Sequence, residues 1–267
     1  MYQLPTTTLG RTGLRVTRLG IGGGYCETAD GYRAALDCGA TYLDTARSYR
    51  NGEDERVIGE ALDGRRDGVV LATKTGKRSA ADARAELETS LRMLHTDHVD
   101  IWQLHFLNAP EALAQVLAPG GAAEAAVRAR EEGLTRFIGV TGHDWSLVAR
   151  AAATGLFDTL LCWYNCAMKE PEETLFPTAV AQRMGVVIMQ AARNTRLLSE
   201  SGTPAPEQFF RYVLSHPAVN VTLMGLRSED RFRRVAGALA ERATLAPEER
   251  RELEAYGSAL RAAGKLG

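Results

Sequence analysis

Strand-like apolar runs alternate with helix-forming stretches eight times along this chain, and no other feature narrows the fold as far. The runs occupy 17–21, 41–43, 69–73, 99–104, 135–140, 158–162, 186–189 and 219–224. Between them the spacing predicts helices at 28–39, 53–63, from Ser79 onward, 121–132, 144–154, 172–184, 205–215 and from Ser228. Gly39 suits the left-handed residue past a helix end, and Ser79 suits an N-cap. Glu53, Asp54 and Glu55 suit a first turn, where the helix dipole favours anions. Leu87, Leu91 and Leu94 recur at i, i+4 and i+7 and paint one apolar stripe. Eight such repeats favour a closed parallel (β/α)8 TIM barrel over an open doubly wound sheet. A last amphipathic segment, 247–262, carries Pro247 in its first turn and Leu253, Tyr256 and Leu260 along one face. It is expected as an extra carboxyl-terminal helix packed outside the barrel.

A chain of 267 residues suits one such barrel, which uses about 250 residues as a unit. No linker or low-complexity tract divides 1–267, so a single domain is expected. The net charge of -1, with arginines spread over many helices, leaves no basic field for a nucleic-acid partner. No window approaches the roughly 20 apolar residues of a membrane span, and residues 1–5 lack the charged start of a secretory leader. A cytoplasmic location is the expectation. Cys26, Cys38, Cys162 and Cys166 form no CxxC pair and read as reduced core or loop residues.

Three consecutive runs end in ionisable groups: Asp44 after 41–43, Lys74 after 69–73 and His105 after 99–104, with Tyr49 five residues beyond Asp44. In a parallel barrel the carboxyl ends of the strands carry the active site, so these four groups are expected to meet there. Singly, each has a plainer role: Asp44 as a turn cap, Tyr49 as an exposed aromatic, His105 as a core histidine. Lys74 is harder to explain so, because the chain has only four lysines among its 32 basic residues and one of them ends an apolar strand. An ammonium on a flexible stem suits proton-affinity tuning better than a guanidinium does.

The segments 44–49, 55–59, 72–74 and 104–105 together resemble the aldo-keto reductases, NAD(P)H-dependent barrel enzymes that reduce aldehydes and ketones. Residues 9–16 are similar to the family's amino-terminal β-hairpin and 133–142 to its fifth strand. The resemblance implies Tyr49 as the proton donor to the carbonyl oxygen and Lys74 as the charge that lowers the phenol's pKa. It implies Asp44 as the partner that keeps Lys74 charged, and His105 as the group that steers the substrate oxygen. General acid chemistry of this kind needs a donor where negative charge develops.

For the cofactor, the resemblance implies NADPH, with NADH as the alternative. No GxGxxG follows the first run, and the family does not use that fingerprint. The implied contacts are Asp44, Thr141 and Gly142 after the fifth strand, Asn165 after the sixth, Met189 and Gln190 after the seventh, and Gly225, Arg227 and Arg231 after the eighth. Arg227 and Arg231 suit a 2′-phosphate beside a helix amino terminus. Several positions depart from the family pattern: Thr141-Gly142 replaces Ser-Asn, Leu161 replaces a Gln, Met189-Gln190 lacks a stacking aromatic, and Val235 replaces an Asn. The loops are short, which implies an open site accepting varied aldehydes. Tyr25, Trp102, Phe106, Trp145 and Trp163 are candidates for its lining.

Other function classes stay open at this level. One is a cofactor-binding regulatory protein with little turnover, as in the potassium-channel β subunits that resemble this family. Another is a lyase using Lys74 as a Schiff base. A metal-dependent hydrolase is weakest, since His105 and His143 end strands without an HxH or HxxxH partner. No metal is expected.

Overall fold

Eight parallel strands close on themselves in the computed structural model, which describes residues 2–198 and 203–266. An antiparallel hairpin, β1 (Thr6–Thr8) and β2 (Arg15–Thr17), precedes them. The barrel strands are β3 (Leu19–Gly22), β4 (Tyr42–Asp44), β5 (Val70–Thr75), β6 (Val99–Leu104), β7 (Thr135–Thr141), β8 (Thr159–Trp163), β9 (Gly185–Met189) and β10 (Val221–Gly225). They pair in sequence order, and β10 pairs with β3 to complete the ring.

The helices are α1 (Ala29–Asp37), α2 (Glu53–Leu62), α3 (Ala80–Met93), α4 (Pro110–Leu117), α5 (Ala122–Glu131), α6 (Trp145–Ala153), α7 (Pro171–Thr174), α8 (Phe176–Ala181), α9 (Pro206–Leu214), α10 (Glu229–Glu241) and α11 (Pro247–Ala262). Side-chain caps fix where several begin: Thr28, Ser79, Asp144 and Ser228 each accept a backbone N–H of the following turn. Gly39 takes φ +100 just past α1, as expected of a residue ending a helix.

Two helix expectations need correction. The helix predicted at 172–184 is two short helices, α7 and α8, because Pro177 has no amide to continue the ladder and its ring clashes with the preceding turn. Helix α4 was not anticipated, although Pro110 at its start and the buried Leu113 and Val116 signal it. Strand ends also shift. Thr17 belongs to the hairpin, and β5 runs through Lys74 to Thr75 instead of stopping before it.

The barrel interior is filled from below by the hairpin. Leu9, Leu14 and Val16 pack against Tyr42, Val70, Ala72, Ile101, Leu161, Val187, Val221 and Leu223. Each such buried aliphatic side chain contributes on the order of 2 kcal/mol. A second, larger core lies between strands and helices and includes Trp102, which is fully buried there. α11 lays Leu253 and Leu260 onto the barrel, and its Tyr256 hydroxyl donates to the Leu197 carbonyl at 2.9 Å. With the lower end plugged, the carboxyl ends of the strands form the open face. Among the described residues no helix is long and apolar enough to cross a membrane.

Candidate active site

β4 ends in Asp44 and β5 carries Lys74, so the ladder brings the two side chains together inside the upper rim. The Lys74 ammonium makes three hydrogen bonds: to Asp44 Oδ1 at 2.5 Å, to the Thr45 carbonyl at 2.6 Å and to the Tyr49 hydroxyl at 3.2 Å. An ammonium has three protons, so every one is committed. His105 follows β6, is buried, and meets the Tyr49 ring edge-on with centroids 6.0 Å apart. The four ionisable groups predicted from the strand ends therefore share one site.

Burial sets the proton affinities. It pulls the Lys74 ammonium down, but Asp44 and Tyr49 outweigh it and hold the pKa above the ordinary lysine value. Burial also lifts the Asp44 carboxyl, with Lys74 and Gln103 opposing. His105 is pushed down to about 2 by burial and by the charges of Lys74 and its neighbours, so its imidazole is neutral at physiological pH. Tyr49 corrects an expectation. Its pKa is raised, because the loss of hydration outweighs the lowering effect of Lys74. The ammonium limits the rise without reversing it.

These groups floor a cleft of about 350 Å³ at the carboxyl face of the barrel. One wall is a row of rings. Phe106 stacks on His105 at 3.7 Å, His143 meets Phe106 edge-on at 5.2 Å, and Trp163 stacks on His143 at 4.3 Å. The Arg193 guanidinium lies 4.3 Å from the Trp163 centroid. Opposite, the Tyr25 hydroxyl donates to Asn194 Oδ1 at 3.1 Å and Arg227 covers the Tyr25 ring at 4.1 Å. Gln190, Arg193, Asn194 and Thr195 all have positive φ, as does Phe106. Non-glycine residues held in that region concentrate at sites where loop shape matters.

Of the residues proposed for the cofactor, Asp44, Thr141, Met189, Gln190, Gly225, Arg227 and Arg231 line the cleft. Gly142 and Asn165 do not. Gly142 packs against Val148 and the Leu107 carbonyl, and Asn165 is fully buried, donating to the Gln190 carbonyl at 3.0 Å and accepting from Ala167. Asn165 thus shapes the end of β9 from behind. Val235 is buried in α10, and Leu161 lies in the cleft floor. Among the lining candidates, Tyr25, Phe106 and Trp163 face the cleft. Trp102 is core, and Trp145 lies outside the cleft with its indole N–H on the Trp163 carbonyl at 2.8 Å.

A second row supports the first. Glu55, expected in the first turn of the helix, is also buried, accepting from Arg47 at 2.5 Å and Thr73 at 2.6 Å. Asp54 is likewise buried, accepting from Tyr32 and Thr45, both at 2.6 Å. Glu53, Asp54 and Glu55 all lie in the first turn of α2 as expected, and Glu53 is exposed and paired with Arg56. Gly52 carries the turn into α2 at φ +93, and a Cβ there would overlap Arg47 Nη2 at 1.2 Å. Gln103 was also missed. Its signal is a polar residue near the end of a strand that a parallel barrel buries on both faces.

A sequence model described as "Aldo/keto reductase family" matches residues 25–208, more than half of the chain. The chain belongs to the aldo/keto reductase family. The aldo-keto reductase YhdN of Bacillus subtilis (strain 168) is 33% identical over 196 residues, which are 65% of this chain and 57% of that protein. This chain therefore spans little more than half the length of that curated relative. A solved structure of an aldo-keto reductase from Klebsiella pneumoniae, in complex with NADPH, is 26% identical, covers 96% of this chain and 95% of its own, and gives a TM-score of 0.79. The holo form of aldo-keto reductase AKR11C1 from Bacillus halodurans, 24% identical with a TM-score of 0.82, covers 95% of this chain and 96% of its own. At that identity it shows the shared fold alone.

Proposed function

We propose that this chain reduces small aldehydes or ketones to alcohols, with NADPH as the reductant and Tyr49 as the acid. The observation that carries the reading is the Lys74 ammonium, fully buried and committed to Asp44, Thr45 and the Tyr49 hydroxyl at the floor of an apolar-walled cleft. As the carbonyl oxygen gains charge, Tyr49 Oη gives it a proton. The phenolate left behind faces Lys74, whose charge offsets it without any rearrangement. His105, neutral, offers a hydrogen bond that orients the carbonyl oxygen towards Tyr49.

The residues around the cleft fit a nicotinamide dinucleotide. Thr141 Oγ1 and Gln190 Oε1 are buried polar atoms without a partner among the described residues, and both residues line the cleft. Such atoms are costly unless a ligand or water satisfies them. Arg227 and Arg231 stand exposed at the amino terminus of α10, and among the described residues no carboxylate is paired to either. Thr141, Met189, Gln190 and Gly225 would hold the nicotinamide end and the two arginines the phosphates. When bound, NADPH supplies the hydride that carbonyl reduction requires. Four unpaired cysteines support a reducing, cytoplasmic setting.

The test is NADPH oxidation in the presence of a panel of small aldehydes and ketones, followed at fixed cofactor concentration. Carbonyl-dependent oxidation with multiple turnovers is expected. Cofactor binding with no turnover on any member of the panel would favour the regulatory reading instead.

A further inference from the structure

Gln103 lies beside Lys74 in the β5–β6 ladder and beside Gly139 in the β6–β7 ladder. Its side-chain amide donates to Asp44 Oδ2 at 2.6 Å, while the other Asp44 oxygen takes Lys74. Both carboxylate oxygens are therefore held, by groups from two different strands. The strand pattern leaves room for this reach: a Cβ at Gly139 would stand 2.7 Å from Gln103 Cγ. Gln103 and Asp44 are each almost completely buried. An anion taken out of water needs a donor for each oxygen, or it takes a proton instead.

We propose that Gln103 is a positioning residue for proton transfer: its amide keeps the Asp44 carboxylate ionised and aimed at Lys74, and so keeps the ammonium charged beneath the Tyr49 hydroxyl. This rests on Tyr49 being the acid. The other groups facing this centre do not substitute for the amide. Lys74 from β5 is already engaged, Asp54 from α2 disfavours a second negative charge, Tyr42 from β4 stays a neutral phenol, and His105 beyond β6 is neutral. Tyr49, on the loop after β4, bonds Lys74. Without the Gln103 amide, the Asp44 carboxylate is harder to keep ionised and draws more on the Lys74 proton, so the positive field on Tyr49 weakens.

The experiment compares Gln103→Met, which keeps the chain length and removes the donor, with the unaltered protein loaded with NADPH or NADP. In aldehyde reduction kcat should fall roughly ten- to a hundredfold, as for loss of a hydrogen bond to a charged group, with a smaller change in KM. In alcohol oxidation Tyr49 must accept the proton, so the pH of half-maximal rate should rise by about one unit or more. Gln103→Glu can donate only when protonated and should recover activity as pH is lowered. A purely space-filling Gln103 predicts an unmoved pH midpoint in the Met variant, and that result would overturn the inference. If neither variant folds, the ¹⁵N shift of the Gln103 amide in the unaltered protein should titrate with the oxidation midpoint; a pH-independent shift would overturn it equally. A wrong assignment of Tyr49 would show separately, as retained turnover in Tyr49→Phe.

Discussion

The Lys74 ammonium stands 3.2 Å from the Tyr49 hydroxyl, yet the phenol is harder to ionise than tyrosine in water, because burial outweighs the charge. Lys74 therefore holds a proton donor ready and becomes most valuable once the proton has left. Replacing Lys74 with Met removes that stabilisation and strands Asp44 in a dry site. Turnover should fall at least as far as in a Tyr49 variant. Breaking a buried pair from one side costs about 3–5 kcal/mol, so the denaturant midpoint should drop clearly. Near-normal activity with an unchanged midpoint would remove Lys74 from the scheme.

Arg227 and Arg231 give a prediction about cofactor choice. With both changed to Ala, NADPH should bind at least about tenfold more weakly while NADH changes little, since charge-assisted bonds to the 2′-phosphate contribute roughly 1.5–3 kcal/mol each. Fluorescence titration at two ionic strengths measures this, and added salt should shrink the difference. Equal weakening of both cofactors would move the arginines to the shared pyrophosphate, and no weakening would return them to solvent.

Histidine burial makes stability depend on pH. His105, His143 and His216 all have lowered pKa values, with burial the largest cause for each. Below the unfolded value of about 6.5 the unfolded chain takes up protons that the folded chain refuses, so stability is lost as pH falls. His105, the most buried, contributes a slope of up to about 1.4 kcal/mol per pH unit. Urea midpoints between pH 8 and pH 5 should decline, and the decline should flatten in His105→Gln. A midpoint indifferent to this substitution would mean His105 is not buried neutral.

Gly52 connects the active-site turn to the buried row behind it. Gly52→Ala would force a side chain into φ +93 and onto the Arg47 guanidinium, which bonds Glu55. A loss of at least about 2 kcal/mol is expected in equilibrium unfolding, from backbone strain plus disruption of a buried ion pair. An unchanged midpoint would mean the Arg47–Glu55 pair contributes little.

The barrel and the meeting of Asp44, Tyr49, Lys74 and His105 are legible in the sequence, because apolar runs of strand length announce a parallel sheet and three consecutive runs end in ionisable groups. What escaped was decided by contacts between distant segments. Glu55 reads as a first-turn acid, and only the fold brings Arg47 and Thr73 onto it; Asn165 reads as a strand-exit residue, and only the fold puts its amide on the Gln190 carbonyl. The direction of the Tyr49 shift was missed for a similar reason, since sequence names the neighbouring charge but not the depth of burial. The break between α7 and α8 is legible at Pro177.

Tyr49→Phe tests the central claim most directly, by carbonyl-dependent NADPH oxidation measured beside a cofactor-binding titration on the same preparation. The substitution removes one hydroxyl from the floor of the cleft and leaves the positions proposed for the dinucleotide intact. Turnover with a good aldehyde should nearly vanish, by at least about a hundredfold for loss of a positioned general acid, while NADPH affinity stays within a few-fold of the unaltered protein. Retention of most of the turnover would contradict the assignment of Tyr49 as the proton donor.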